Sequence, residues 1–180
     1  LDLGKLHSEV KDIARDIREF LVINNVIVDR ETGFYSPTYF NMKLAEQIYS
    51  AQKIGTDFFL ILIDIFNGLS ITHEQKNTVL KIIYPVIKKS SGEAHELFLY
   101  RDRIAMIMSG VGLKEAEDME LAVAKDIAKF RIKLSHDTVI KIQPVVVVKN
   151  SKDSGNVKEI LAETMSVFDE GIIPDGAEII

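Results

Sequence analysis

The sequence contains no cysteine and no tryptophan, and only four prolines and four histidines among its 180 residues. Without cysteine the protein has no disulfide framework, no thiolate zinc site and no thiol nucleophile. The four histidines are scattered and show no His-x-x-x-His spacing, so they do not indicate a metal site. These absences exclude the common cysteine-based and histidine-based chemistries. They are compatible with the reducing cytoplasm, where we expect the protein to be.

Long hydrophobic runs and clusters of basic residues are also missing. The longest apolar run, residues 58–63, is too short to cross a bilayer as a helix, so we expect neither a membrane span nor a signal peptide. The 22 basic and 27 acidic residues are interspersed and give a formal net charge of -5, which argues against a nucleic-acid partner. The 47% of hydrophobic residues suffices for one globular domain with a full core. Because the first residue is Leu1 and not Met, we expect a longer polypeptide.

Residues 1–27 show apolar side chains spaced alternately by three and four positions, from Leu3 to Ile27, which is the a/d pattern of a coiled-coil heptad. The spacing predicts one amphipathic helix with a seam that includes Val10, Ile13, Ile17, Phe20 and Asn24. β-Branched a residues together with one asparagine favour a parallel two-stranded coil, so one interpretation is a homodimer through this helix. The other is a single helix that docks on its own domain or ends near Asn24.

Residues 28–180 are predicted to form one α/β domain. Their pattern predicts the order helix, strand, helix, hairpin, helix, strand, helix, which indicates a mixed sheet flanked by helices. Residues 58–65 are almost uniformly apolar, as in a strand covered on both faces, and we expect them to form the central strand. The remaining elements are predicted at residues 37–53, 74–88, 97–108, 114–132, 139–148 and 156–168.

Three stretches at mutually consistent distances resemble the GGDEF domain of diguanylate cyclases. Residues 29–36 with Tyr39-Phe40 resemble the family's opening Asp-x-Leu-Thr-Gly-Leu-x-Asn motif, and residues 62–65 with Ser70-Ile71 resemble its Ile-Asp-x-Asp strand and following loop. The hairpin Tyr100-Arg101-Asp102-Arg103-Ile104 falls where Gly-Gly-Asp-Glu-Phe is expected. The resemblance covers most of residues 29–168. It implies a bacterial signalling protein with a fold like the palm of nucleotidyl cyclases.

In that family, two GTP molecules on facing protomers become cyclic di-GMP, and carboxylates hold the divalent metal that assists the reaction. The resemblance matches Asp64 to the first metal-binding aspartate and Asp102 to the acidic third residue of the signature. Arg103 replaces the glutamate that follows. Tyr100 and Arg101 replace the two glycines at which the backbone approaches phosphate.

Positions that match the family's nucleotide-binding residues have changed as well. Thr72 stands for the asparagine that contacts guanine, and Lys76-Asn77 stands for the Gly-Asp pair of the same pocket. Gly68 and Leu69 stand for the phosphate-facing phenylalanine and lysine. The resemblance therefore implies that the former nucleotide pocket lacks most of its contacts.

Two interpretations of Asp64 remain open. It either binds metal together with Asp102, or it is satisfied by loop amides and by Arg101 or Arg103, because an unpaired carboxylate at a strand end is costly. The hairpin residues Tyr100 and Arg101 likewise form either a new recognition surface or an ordinary exposed tip.

The resemblance and its departures together predict a degenerate, catalytically inactive GGDEF-like signalling module. It is expected to act by dimerisation or contact with a signalling protein, downstream of a sensor domain, without a cofactor. Feedback by cyclic di-GMP is not expected, because the inhibitory Arg-x-x-Asp motif falls on Ser91 and Ala94. The alternative is a divergent domain that binds GTP or cyclic di-GMP, or retains cyclase activity, through Asp64 and Asp102. Only in that case is Mg²⁺ expected.

Overall fold

The computed structural model describes residues 10–17, 19–20, 26–92, 94–134, 139–153 and 156–169. A first helix, α1, covers the described residues 10–17 and 19–20. The elements that follow are α2 (Pro37–Ile54), β1 (Phe58–Asp64), α3 (His73–Ser91), β2 (Leu97–Tyr100), β3 (Arg103–Ser109), α4 (Leu113–Ala128), β4 (Arg131–Lys133), β5 (Val139–Lys141), β6 (Val145–Asn150), a 3-10 turn (Ser151–Asp153) and α5 (Val157–Asp169). Among these described helices, none has the length and apolar character that a membrane span requires.

Four strands form one sheet in the order β2-β3-β1-β6, and all three of its strand pairs are antiparallel. Strands β4 and β5 form a separate two-stranded hairpin. A parallel bridge joins Tyr35 to Phe98 at the outer side of β2. The prediction of a central strand is confirmed, because β1 pairs with β3 on one side and with β6 on the other.

Strand β1 separates the interior into two hydrophobic clusters, because successive side chains of a strand point to opposite faces of the sheet. Its odd-numbered residues pack with α3 and α4, and its even-numbered residues pack with α2 and α5. The two sets, all buried, are Phe59, Ile61 and Ile63 on the α3–α4 side and Phe58, Leu60 and Leu62 on the α2–α5 side. The molecule therefore has three layers, with helices on both faces of the sheet.

Two predicted segments differ in the structure. The sequence predicts a helix over residues 114–132, but α4 ends at Ala128 and β4 follows, in which Ile132 is buried between two exposed residues. The valine-rich residues 139–148 are predicted as one β segment, but the structure divides them into β5 and β6, which belong to different sheets. Pro144 precedes β6, and a proline lacks the N–H that would continue a strand ladder.

Helices α2 and α3 begin at side-chain caps that the sequence signals. At the start of α2, the N–H of Tyr39 donates to Ser36 Oγ at 3.2 Å, and Pro37 occupies the first helical position. At the start of α3, Thr72 and Gln75 form a capping box in which each side chain accepts the other residue's N–H, at 3.2 Å and 2.8 Å. The caps fix where the first turn of each helix lies.

Residues 26–36 connect the N-terminal part of the chain to α2 through a compact turn. Val28 and Tyr35 form an antiparallel bridge, and the N–H of Asp29 donates to the Phe34 carbonyl at 2.8 Å. The Phe34 side chain is fully buried in the cluster on the α3–α4 side. The opening motif is therefore a packed part of the domain.

We expect Thr72→Ala to lower the free energy of unfolding by about 1 kcal/mol, because it removes the acceptor of an N-cap. Urea unfolding followed by circular dichroism measures the change. Thr78→Ala is the matched control in the same helix, since the Thr78 hydroxyl donates to the Glu74 carbonyl one turn earlier. That control should leave stability unchanged or slightly higher, because alanine has the better helix propensity. Equal losses in both variants would contradict the capping role.

Candidate functional site

The candidate site lies where β1 ends beside the hairpin of β2 and β3. Because β2 ends at Tyr100 and β3 begins at Arg103, the turn between them has two central residues, Arg101 and Asp102. Their φ angles are 47° and 61°, and no other non-glycine residue in the described part of the chain has a positive φ. A left-handed conformation costs an ordinary L-residue about 1 to 2 kcal/mol, so glycine is usually preferred there. Both central residues of the turn therefore adopt the left-handed conformation that glycine favours, although neither is glycine.

The strand register brings Asp64 and Arg103 together. The last pair between β1 and β3 is Ile63 with Ile104, so the next residues across the sheet are Asp64 and Arg103. Arg103 Nε lies 3.2 Å from Asp64 Oδ2, and the two side chains are 16% and 14% exposed. Arg103 Nε has no well-directed hydrogen bond, so the contact is best described as an ion pair. A cation of the chain itself thus sits beside the carboxylate.

Further contacts hold this ion pair on both sides. Asp64 Oδ1 accepts the N–H of Phe66 at 2.9 Å, and the guanidinium of Arg103 lies 4.6 Å from the ring of Phe168 in α5. A guanidinium over an aromatic face gains a cation–π attraction in addition to its ion pair. Asp64 therefore meets a loop amide and an arginine, the partners that its second interpretation requires. The arginine is Arg103, while Arg101 points elsewhere and lies against Tyr100.

The second carboxylate of the predicted site, Asp102, also faces a cation. Lys76 Nζ of α3 lies 2.5 Å from Asp102 Oδ2, and one residue further along α3 the Asn77 amide donates to Glu31 Oε2 at 2.5 Å. These contacts tie the first turn of α3 to the hairpin and to the opening turn. Within the described residues, no group of three or more His, Cys, Asp or Glu side chains could hold a metal ion.

Tyr100 is part of an aromatic cluster between β2 and α2. The ring of Phe40 lies 5.2 Å from that of Tyr100 and 5.5 Å from that of Phe98, and Tyr35 lies 5.5 Å from Phe98 on the other side. Burial is the main cause that raises the pKa of the Tyr35 hydroxyl above its ordinary value. The guanidinium of Arg101 lies 5.5 Å from the Tyr100 ring. Tyr100 is therefore half-buried by packing and is not a freely projecting side chain.

The other predicted pocket residues have roles of their own in the fold. Leu69 packs against the cluster on the α3–α4 side, and Thr72 caps α3. Gly68 has a φ of 71° and open space around it. At the position of the inhibitory motif, Ser91 is buried and Ala94 is exposed. Sequence reasoning missed Lys76 as the partner of Asp102 and Phe168 as the partner of Arg103, because no local pattern marks either contact.

Four of the five predicted seam residues lie in the described part of α1, namely Val10, Ile13, Ile17 and Phe20. Each is between 55% and 63% exposed. The fifth, Asn24, lies outside the described residues. A helix docked on its own domain would cover these side chains, so the exposure does not match that alternative.

The fold of this chain is similar to that of two solved structures. The GGDEF domain of FimX from Pseudomonas aeruginosa matches with a TM-score of 0.70 at 14% sequence identity, over 80% of this chain and 92% of that chain. The coiled coil and GGDEF domain of DgcB from Caulobacter crescentus, in complex with c-di-GMP, matches with a TM-score of 0.68 at 16% identity, over 93% and 94%. This chain has the GGDEF-domain fold.

A third solved structure, the diguanylate cyclase SiaD of Pseudomonas aeruginosa in complex with its activator SiaC, matches with a TM-score of 0.67. Its identity is 14%, over 94% of this chain and 68% of that chain. No family model and no curated protein matches the sequence itself. At these low sequence identities, the similarity to the solved structures shows a shared fold.

We expect Arg103→Met to lower the free energy of unfolding by about 2 kcal/mol, because it leaves the largely buried Asp64 carboxylate without its cation. Methionine keeps an apolar side chain beside Phe168, so the loss of stability results mainly from removing the positive charge of Arg103. Adding Asp64→Asn to that variant should recover part of the stability. Lys129→Met is the control, since it breaks a solvated ion pair with Asp126 and should change nothing measurable in urea unfolding. Equal effects of Arg103→Met and Lys129→Met would contradict a buried ion pair.

Proposed function

We propose that this chain is a catalytically inactive GGDEF-type signalling module. It acts in the cytoplasm by dimerisation or by contact with a signalling protein, downstream of a sensor domain. One observation carries the first part of the proposal. The two carboxylates that match the family's acidic residues each face a cation of the same chain, Asp64 beside Arg103 and Asp102 beside Lys76.

The residues present do not fit a divalent metal. Mg²⁺ is held by oxygen ligands in a near-octahedral shell, usually through one or two carboxylates, and a positive charge beside such a carboxylate opposes its binding. Both oxygens of Asp64 have partners, Phe66 N–H at 2.9 Å and Arg103 at 3.2 Å. A guanidinium that attracts the carboxylate at this distance repels a second cation at the same place. No step of cyclic di-GMP synthesis is therefore assigned to these residues.

The residues that would contact phosphate in the family are replaced as well. The family's two signature glycines correspond to Tyr100 and Arg101, and the Tyr100 ring packs against Phe40. A residue with a side chain does not let the backbone approach a ligand as closely as glycine does. Each charge-assisted phosphate contact is worth on the order of 1.5 to 3 kcal/mol, so losing several removes many decades of affinity for GTP. The retained Asp102, mostly exposed on the turn, is what supports the alternative of residual nucleotide binding.

We expect the purified chain to form no cyclic di-GMP from GTP with Mg²⁺ or Mn²⁺, because the chain's own cations occupy the surroundings of both carboxylates. Liquid chromatography of the reaction products is the measurement. Calorimetric titration with GTP and with cyclic di-GMP, with and without Mg²⁺, should show no binding. Product that disappears in Asp102→Ala and persists in Asp126→Ala would establish the alternative function. Micromolar binding of cyclic di-GMP that is abolished by changing Ser91 and Ala94 would show that the match of these residues to the inhibitory motif is wrong.

The signalling part of the proposal rests on α1. Its four described seam residues are exposed in the single chain, and a single isolated helix is marginal in water. Each large apolar side chain contributes about 1.5 to 3 kcal/mol when it becomes fully buried. The match to the DgcB chain, which contains a coiled coil, extends over 93% of this chain, against 80% for the isolated FimX domain. We propose a parallel homodimer in which Asn24 pairs with Asn24 of the second copy.

We expect the full chain to sediment as a dimer at tens of micromolar and Ile13→Asp to sediment as a monomer, because the substitution places a charge in the seam. Lys11→Asp is the matched control on a neighbouring exposed position outside the a/d pattern, and it should remain dimeric. A chain that starts at Val28 should be monomeric as well. Dimerisation of Ile13→Asp as tight as that of the unaltered chain would exclude the helix as the dimerisation element.

A further inference from the structure

Strand β6 forms the second margin of the four-stranded sheet, on the side opposite β2. An outer strand presents alternate residues outwards, with N–H and C=O groups that bond to no neighbouring strand. At the other margin, Tyr35 bonds to the outward Leu97 carbonyl and Leu99 N–H. Within the described residues, no backbone hydrogen bond from another segment reaches the outer side of β6.

The strand register identifies which residues of β6 point outwards. Because Tyr35 bonds to Leu97 and Leu99, the odd-numbered residues of β2 face outwards and the even-numbered ones face β3. The alternation continues through β3 into β1, so the even-numbered residues of β1 face β6. An independent contact agrees, since the N–H of Phe58 donates to Ser151 Oγ, just beyond β6, at 2.9 Å.

This alternation divides the backbone groups of β6 into two sets. The residues that pair with the even-numbered residues of β1 are Val145, Val147 and Lys149. The residues that point outwards are Val146, Val148 and Asn150. We call the backbone N–H and C=O groups of these three outward residues the β6 edge.

Strand β6 has few of the features that keep outer strands from pairing. Such strands are commonly shielded by charges, prolines or a covering segment. Four of the six residues of β6 are valine, and its one charged side chain, Lys149, is paired with Glu163 of α5 at 2.9 Å. Pro144 precedes the strand and leaves every N–H within it in place. The strand is therefore suited to pairing with a further strand.

A second β6 edge complements the first. Two antiparallel copies with a twofold axis at Val148 align Val148 with Val148 of the second copy, and Val146 with Asn150, so that every outward N–H meets an outward C=O. A shift of two residues in one direction sets Asn150 against Pro144, which has no N–H to donate. A shift in the other direction sets Val146 against Lys152, whose N–H already donates to Asn150 Oδ1 at 3.0 Å. One register therefore uses all groups of both edges.

The charges are compatible with the same register. Lys149 of one copy lies opposite Val147 of the second copy, so the two lysines do not face each other. Each lysine also keeps its partner Glu163 within its own chain.

We propose that the β6 edge is a self-association surface, at which β6 of one copy adds antiparallel to β6 of a second copy and joins the two sheets into one. The surface is separate from α1, and the proposal does not depend on the proposed α1 dimer. Because each of the two contacts is twofold, a chain that uses both assembles beyond a dimer. The β6 edge thereby allows dimers of the signalling module to cluster.

The pairing is weak on its own. Stable interfaces bury about 1,200 to 2,000 Å². The pairing strands have only six residues each, and Val146 and Val147 are already 93% and 91% covered by their own chain, being 7% and 9% exposed. We therefore expect a dissociation constant on the order of 1 mM. Such a contact leaves Ile13→Asp monomeric at tens of micromolar.

Amide hydrogen exchange resolved by NMR tests the β6 edge in Ile13→Asp, which keeps β6 unchanged and removes the α1 seam. We compare tens of micromolar with a few millimolar protein. The amides of Val146, Val148 and Asn150 should exchange about threefold more slowly at the higher concentration, because only about a third of the chains stay unpaired. The amides of Val145, Val147 and Lys149 should be protected at both concentrations. Equal exchange of the outward amides at both concentrations overturns the β6 edge.

Val148→Pro and Val148→Ala form a matched pair in the same Ile13→Asp background. Both remove the valine side chain, but only proline removes the outward N–H, which β1 does not use. We expect Val148→Ala to keep the slower exchange of the Val146 and Asn150 amides at millimolar concentration, and Val148→Pro to lose it. Thermal unfolding checks that each variant folds, and the concentration series decides the question if Val148→Pro does not.

The outcomes separate this surface from the proposed α1 dimer. If Val148→Pro self-associates as well as Val148→Ala, the β6 edge is overturned, whatever the role of Ile13. If the unaltered chain is monomeric at tens of micromolar but the outward amides are protected at millimolar concentration, the α1 dimer is overturned and the β6 edge stands.

Discussion

The pairing of β1 with β3 is the constraint on which the rest of the molecule depends. Because side chains alternate along a strand, one register sends Phe59 to the cluster with α3 and α4 and Leu60 to the cluster with α2 and α5. The same register sets Asp64 opposite Arg103, beside the end of α5. A slip of one residue would exchange the two cores and move the carboxylate away from its cation. The same strand register therefore determines both the packing of the interior and the contact of Asp64 with Arg103.

Elements with a local signal are predictable from the sequence. Ser36 followed by Pro37 marks the start of α2, and the apolar residues 58–65 mark the central strand, because caps and burial on both faces leave direct traces in the residue pattern. The end of α4 is not predictable in this way, since no glycine or proline stands between Ala128 and the start of β4. Pro144 signals the division between β5 and β6, but the valines that follow it favour the prediction of one continuous strand.

The site is predictable only in part. Residue types and spacing place Asp64 and the hairpin at neighbouring strand ends, and only the resemblance to the GGDEF signature matches Arg103 to an acidic position. They do not show which cation faces which carboxylate. The contact of Lys76 with Asp102 depends on where α3 starts relative to the hairpin, and the contact of Arg103 with Phe168 depends on how α5 docks. Such contacts follow from the assembled fold and not from any short segment.

The bridge between Tyr35 and β2 also governs how this sheet meets other chains. Strand β2 is the outer strand of its sheet, and an outer strand presents N–H and C=O groups on which a foreign strand can assemble. Tyr35 already uses the outward Leu97 carbonyl and Leu99 N–H. A strand of another molecule would have to displace Tyr35 before it could add here. One residue of the opening motif thereby protects this margin of the sheet from aggregation.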